Sequence, residues 1–218
     1  MPARTGRPPR ISRTDILAAA YRVIDAEGAQ ALTMRRLARE VGTTPMALYR
    51  HVRDKDELLL MLLDDYAAGV PRPEPPAGGG PAERVMATAH AMREALMEVP
   101  WIVELLRADD LMSARALWYP EEIIDAAVQA GLTSEEAVDA YRIIWHYTAG
   151  EISARAAAAR RRADDRPTHR SQVFESLDPA RLPRLAALGP RWTELTGRDT
   201  YDKGIQALVR GLLPAPPA

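Results

Sequence analysis

From Ser12 to Glu27 the apolar residues Ile16, Ala20, Val23 and Ile24 recur at helical spacing and predict one amphipathic helix. Ser12 is placed to cap it, Asp15 sits in the first turn near the positive end of the helix dipole, and Gly28 ends it. Thr33 then caps a short helix in which Met34, Leu37, Ala38 and Val41 fall at i, i+3, i+4 and i+7, leaving Arg35, Arg36 and Arg39 outside. Gly42 stops this helix after barely two turns. Thr44 followed by Pro45 is an N-cap with proline at the first helical position, so a third helix, Pro45 to Val52, begins almost at once. The pattern is a helix-turn-helix. On the third helix Leu48 and Val52 face the first two helices, Met46 and Arg50 point the opposite way, and Tyr49 and His51 lie on the flanks. Asp54 and Glu57 make a capping-box-like start to a fourth helix, which runs to about Ala68 and carries Lys55 in its first turn.

Beyond it, Pro71 to Pro81 cannot continue a helix and reads as a flexible loop, within 70–82. Helical segments are predicted at Glu83 to Glu98, Trp101 to Met112, Pro120 to Ala130 and Ser134 to Ala163, with Pro120 at an N1 position, Gly131 at C′, and Thr133 with Glu136 as a capping box. Within the last segment, Ile143 to Gly150 carries no charged residue unless His146 is protonated, which predicts a central helix buried on all sides. Arg160 to Arg170 reads as a charged loop, and Asp178 with Pro179 as the start of a short helix. A closing helix, Thr200 to Leu212, aligns Tyr201, Ile205, Leu208, Val209 and Leu212 in a stripe, with Gly204 and Gly211 allowing another backbone to approach. The expected fold is all-α, with a three-helix head over 1–55 and a larger helical body over 56–218 joined by the helix at about 55–68.

Composition sharpens this picture at three points. Forty-seven per cent of the residues are hydrophobic, without the short alternating runs of β-branched residues that strands require. The absence of cysteine excludes disulfides, thiolate zinc sites and cysteine nucleophiles, and it leaves a cytoplasmic protein as the expectation. The net charge of −1 hides an asymmetry: up to Lys55 there are eleven Lys and Arg against five Asp and Glu, and beyond it eighteen against twenty-five. A basic head sits on an acidic body.

A basic module that exposes Met, Tyr, Arg and His on a short helix suits the major groove, which admits a helix whose early residues reach base edges while its flanks meet phosphates. The stretch "ALTMRRLAREVGTTPMALYRHVRDKDELL", Ala31 to Leu59, resembles the TetR family of bacterial regulators. The resemblance implies that Pro45 to Val52 is the recognition helix. It also implies that Tyr49, His51 and Lys55 contact phosphates, and that Thr33, Arg35, Thr43, Thr44, Met46 and Arg50 occupy operator-dependent positions. Arg4 to Arg13 forms a basic, proline-rich arm that is either a solubilising tail or a segment that orders on DNA.

The stretch from Tyr119 to Gly150 and the closing "YDKGIQALVRGLL" are similar to the body of tetracycline-repressor-like members. The implications are a homodimer through the C-terminal helices, an operator of double-stranded DNA, and a small-molecule cavity between the fourth and central helices. Aromatic side chains with polar tips suit an amphipathic organic effector, and Trp101, Trp118, Tyr141, Trp145 and His146 are its candidate contacts. No catalytic residue, cofactor or metal site is expected: His51, His90, His146 and His169 show no paired ligand spacing, and no nucleophile elbow or phosphate-binding glycine loop occurs. Three functions remain in competition. They are a repressor released by an effector, a regulator whose body answers to a protein partner, and a DNA-binding head fused to an enzyme.

Overall fold

A computed structural model describes residues 11–74, 78–107, 111–162 and 169–215, and among the described residues every regular element is helical. In chain order they are α1 (Arg13–Glu27), α2 (Met34–Val41), α3 (Pro45–Leu48), α4 (Lys55–Gly69), α5 (Pro81–Met97), α6 (Pro100–Leu106), α7 (Trp118–Gln129), α8 (Ser134–Arg162), α9 (His169–Glu175), α10 (Pro183–Leu188), α11 (Trp192–Thr196) and α12 (Tyr201–Leu212). The chain divides into two compact units, Met1–Arg72 with Trp101–Trp118, and Pro73–Pro100 with Tyr119–Ala218. The arm up to residue 10 lies outside the described residues, as do 75–77 of the proline-rich loop and 163–168 of the charged one.

In the first unit the caps sit where local chemistry puts them. Ser12 Oγ accepts from Asp15 N at 3.1 Å while Asp15 Oδ2 accepts from Ser12 N at 2.9 Å, a closed capping box. Thr33, Thr44 and Asp54 each accept from the backbone N–H three residues on, at 3.1, 3.2 and 2.8 Å. Gly42 adopts φ +76°, a left-handed conformation that costs other residues strain. With it, Gly42 N donates to Arg39 O and Thr43 N to Ala38 O, so α2 closes in a Schellman motif. Ile16, Val23, Leu32, Leu37, Leu48, Val52, Leu58 and Leu62 are fully buried in one core, each contributing about 1.5–3 kcal/mol through removal from water.

One expectation here is corrected. Regular α-helix in α3 ends at Leu48 rather than Val52, and Arg50 N and His51 N continue it as tighter turns onto Ala47 O and Leu48 O. Both Leu48 and Val52 must reach the core from a very short element, and tightened turns are the common end of such helices.

In the second unit α5, α8 and α12 pack together, and Tyr201 joins all three. Its ring is 1 % exposed, its hydroxyl donates to Ala89 O at 3.1 Å, and it shares a 2.8 Å hydrogen bond with Thr148 Oγ1. Arg84 of α5 holds α7 through Glu122 at 2.6 Å and Asp125 at 2.8 Å. Thr133 and Glu136 form the expected capping box at the start of α8.

The structure differs from the sequence pattern at several points, the first being that α6 ends at Leu106 rather than continuing to Met112. Helix α7 begins at Trp118, so Pro120 is third in the helix, where its missing N–H would have had no helical acceptor anyway. Helix α8 extends through Arg160–Arg162, where cations suit the negative end of the dipole. Asp178 starts a turn, its Oδ1 accepting from Ala180 N at 2.9 Å, and the helix waits until Pro183. Ile143, His146 and Gly150 are exposed, so within one chain the central helix is covered on one side only. The α12 stripe splits: Tyr201, Ile205 and Val209 are buried within their own chain, while Leu208 and Leu212 are half-covered. What approaches Gly204 is the side chain of Tyr147, not a backbone, and Gly211 faces open space.

Candidate nucleic-acid interface and effector-site residues

The first unit sorts its cations into two groups. Arg36 bridges Glu27 and Glu40, with nitrogen to oxygen distances of 2.7 and 2.9 Å, and Arg22 adds a third contact to Glu40 at 3.0 Å. Hydrogen bonds from Arg22 and Arg36 hold the Glu40 carboxyl below the usual carboxylate range, so these charges neutralise one another. Arg53 lies 3.5 Å from Asp54 and 3.9 Å from Glu57. Arg35, Arg39, Arg50 and Lys55 are exposed and make no ion pair among the described residues. Their full charge is available to an anion.

The candidate contacts follow from this frame. Met46 is 77 % exposed and Tyr49 48 %, unusual values for such large side chains. On a helix Met46 lies about 200° from Leu48 and only about 40° from Arg50. Because Leu48 is fully buried, Met46 and Arg50 share the outward side. His51 is exposed beside them, and Lys55 is exposed at the first position of α4. Thr33 and Thr44 use an oxygen lone pair as helix caps and keep a hydroxyl proton to donate, whereas Thr43 is half-buried in the motif that closes α2. Arg39 belongs with this group although the resemblance did not single it out. Its signal in the sequence is the outward face it shares with Arg35.

The five effector candidates fall in both units. Trp101, on α6, is partly buried against the core of the first unit, and Trp118 is half-buried with the Arg72 guanidinium 5.5 Å from its ring centre. Tyr141 and Trp145 are half-buried one turn apart on α8, and His146 beside them is exposed. Among the described residues no helix is long and apolar enough to cross a membrane.

A capped helix-turn-helix that leaves Arg35, Arg39, Arg50 and Lys55 without an ion pair among the described residues and its apolar tip in water, continued by a helical unit, defines the class of helix-turn-helix DNA-binding transcriptional regulators. Residues 16–62 match the family described as "Bacterial regulatory proteins, tetR family", and residues 72–214 match "Tetracyclin repressor-like, C-terminal domain". The chain belongs to the TetR family. Its relatives include the HTH-type transcriptional repressor DrrR1 of Streptomyces coeruleorubidus, 29% identical over 95% of this chain and 79% of that protein. Among solved structures, ActR of Streptomyces coelicolor in complex with actinorhodin superposes with a TM-score of 0.72 at 26% identity, covering 94% of this chain and 96% of that one. BioQ of Mycobacterium smegmatis gives 0.65 at 26%, covering 93% and 98%.

Proposed function

We propose that the chain is a homodimeric, cytoplasmic repressor that inserts α3 and the turn after it into the major grooves of a palindromic operator and is released by a small amphipathic organic effector. The observation that carries this reading is the coincidence, within one helix-turn-helix and the start of the helix after it, of an exposed Met46 and Tyr49 with Arg35, Arg39, Arg50 and Lys55, which make no ion pair among the described residues. Phosphates neutralise the cations and base edges receive the tip, so both features find their explanation in one ligand. The chain acts by binding, without a catalytic step.

Release follows from linkage: an effector that binds the DNA-incompetent conformation more tightly shifts the equilibrium by that difference and no more. Support for an effector comes from ActR, which has been solved in complex with actinorhodin and with (S)-DNPA, and support for repression comes from the repressor DrrR1. On this chain the proposed contacts are Trp101, Trp118, Tyr141, Trp145 and His146, with the body beginning at residue 56. The test uses DNA selected by the full-length protein from a random library, with actinorhodin as first probe. Trp145→Ala is expected to retain operator affinity and thermal stability while release by the probe weakens tenfold or more. Joint loss of stability and operator binding would instead make Trp145 a packing residue.

A further inference from the structure

We propose that Met46 reads a thymine in each operator half-site by burying the end of its side chain against the thymine methyl group in the major groove. This rests on the reading that α3 enters that groove, and it adds which base is recognised and by what chemistry.

The side chain is conspicuous first by exposure. Met46 is 77 % exposed, whereas the other exposed large hydrophobics among the described residues lie between 40 and 54 %. It is also held in place. Thr44 caps α3 through Ala47 N, Pro45 sets the backbone angle of the first turn, and the fully buried Leu48 anchors the same turn in the core. The Met46 backbone is therefore fixed while its unbranched side chain stays free to settle on a surface. The exposed Arg35, Arg39, Arg50 and Lys55 of the same helix-turn-helix region supply the charge complementarity that draws it onto a phosphate backbone.

The edges of the four base pairs in the major groove then narrow the partner. Guanine presents two acceptors, cytosine a donor, adenine an acceptor and a donor, and thymine an acceptor with a methyl group. A methionine side chain donates no hydrogen bond, and its thioether is a weak acceptor. Laid on a G·C pair it would strip water from polar atoms without replacing the lost bonds. Laid on thymine it covers the only apolar group in the groove. Attraction to thymine and penalty on G·C act in the same direction, which is how a side chain without polar donors discriminates.

The experiment starts from the sequence that the full-length protein enriches from random double-stranded DNA. Each thymine of a half-site is exchanged for deoxyuridine, which removes the methyl and nothing else, and affinities are measured for the natural protein and for Met46→Ala. Because Met46 touches little of its own protein, the variant is expected to fold, which its thermal transition verifies. At one thymine per half-site the exchange should cost the natural protein about fourfold, the worth of one methyl group buried. The same exchange should cost Met46→Ala almost nothing, so that the double-mutant cycle closes with a coupling of about that size. Equal penalties in both proteins at every thymine would overturn the proposal, and so would a Met46→Ala protein that binds the selected site unchanged. Failure of the natural protein to enrich any sequence would bring down the operator reading itself, together with this inference.

Discussion

Lys55 and Arg50 are both cationic, exposed and unpaired among the described residues, yet they sit at different places and predict different losses. Lys55 begins α4 at the rim, so Lys55→Ala should weaken binding to every DNA sequence and reduce the salt dependence by about one unit of log–log slope. Arg50 shares the outward side with Met46, and Arg50→Ala should relax preference at one base pair per half-site at a cost of about 1–3 kcal/mol. Titrations against scrambled sites at several salt concentrations separate these outcomes, and a uniform loss for Arg50→Ala would move it to the phosphates. Tyr201 makes a prediction of another kind. Burial pushes its phenol up to about 12, so the hydroxyl stays neutral in the fold when the unfolded chain has already ionised. A raised pKa leaves its contribution intact below pH 10 and removes it as pH rises toward 12. Tyr201→Phe should flatten the alkaline loss of stability by close to one proton in that window. It should also lower stability at neutral pH by about 1–2 kcal/mol, from the hydrogen bonds to Thr148 and Ala89.

At the scale of elements, the ends of helices were the most legible features. Ser12, Thr33, Thr44, Asp54 and Thr133 cap from within three residues of the atoms they satisfy, so sequence alone reaches them. Packing between elements is a different matter. A Cβ on Gly204 would run into the hydroxyl and ring of Tyr147, so the glycine of α12 makes room for a side chain of α8. Gly204→Ala should therefore displace a ring that stacks on Tyr201, at a cost of about 1–3 kcal/mol, and Tyr147→Ala in the same protein should recover part of it. Additive losses in thermal denaturation of the double variant would refute the contact. The short α9 and α11 left no mark in the sequence pattern because helices of seven and five residues carry less than two turns of periodicity.

For the whole molecule the open surface of the second unit is the guide. Val138 and Ile143 on α8 are 42 and 41 % exposed, and Leu208 and Leu212 on α12 are only half-covered. Replacing Leu208 and Leu212 together by glutamate should give monomers that retain their helices but bind the palindrome far more weakly, since each half-site must then be occupied alone. Sedimentation that still finds a dimer would remove α12 from the subunit contact.

What sequence determined by itself is the head, where spacing, caps and two glycines act over less than a turn or two and leave one arrangement of α1 to α3. It also determined the helical class and the family, through motifs written in contiguous residues. Tertiary structure decided which of the arginines in the head are neutralised, since Arg22 meets Glu40 across eighteen residues of chain and Arg36 meets Glu27 across nine, while Arg35 and Arg39 make no ion pair among the described residues. It decided that Tyr201, Ile205 and Val209 of the α12 stripe are spent inside their own chain, around a tyrosine whose partners lie 53 and 112 residues away, while Leu208 and Leu212 stay half-covered. Hydrophobic periodicity states that a face must be covered, but the attraction is non-directional, so only the assembled fold says what covers it.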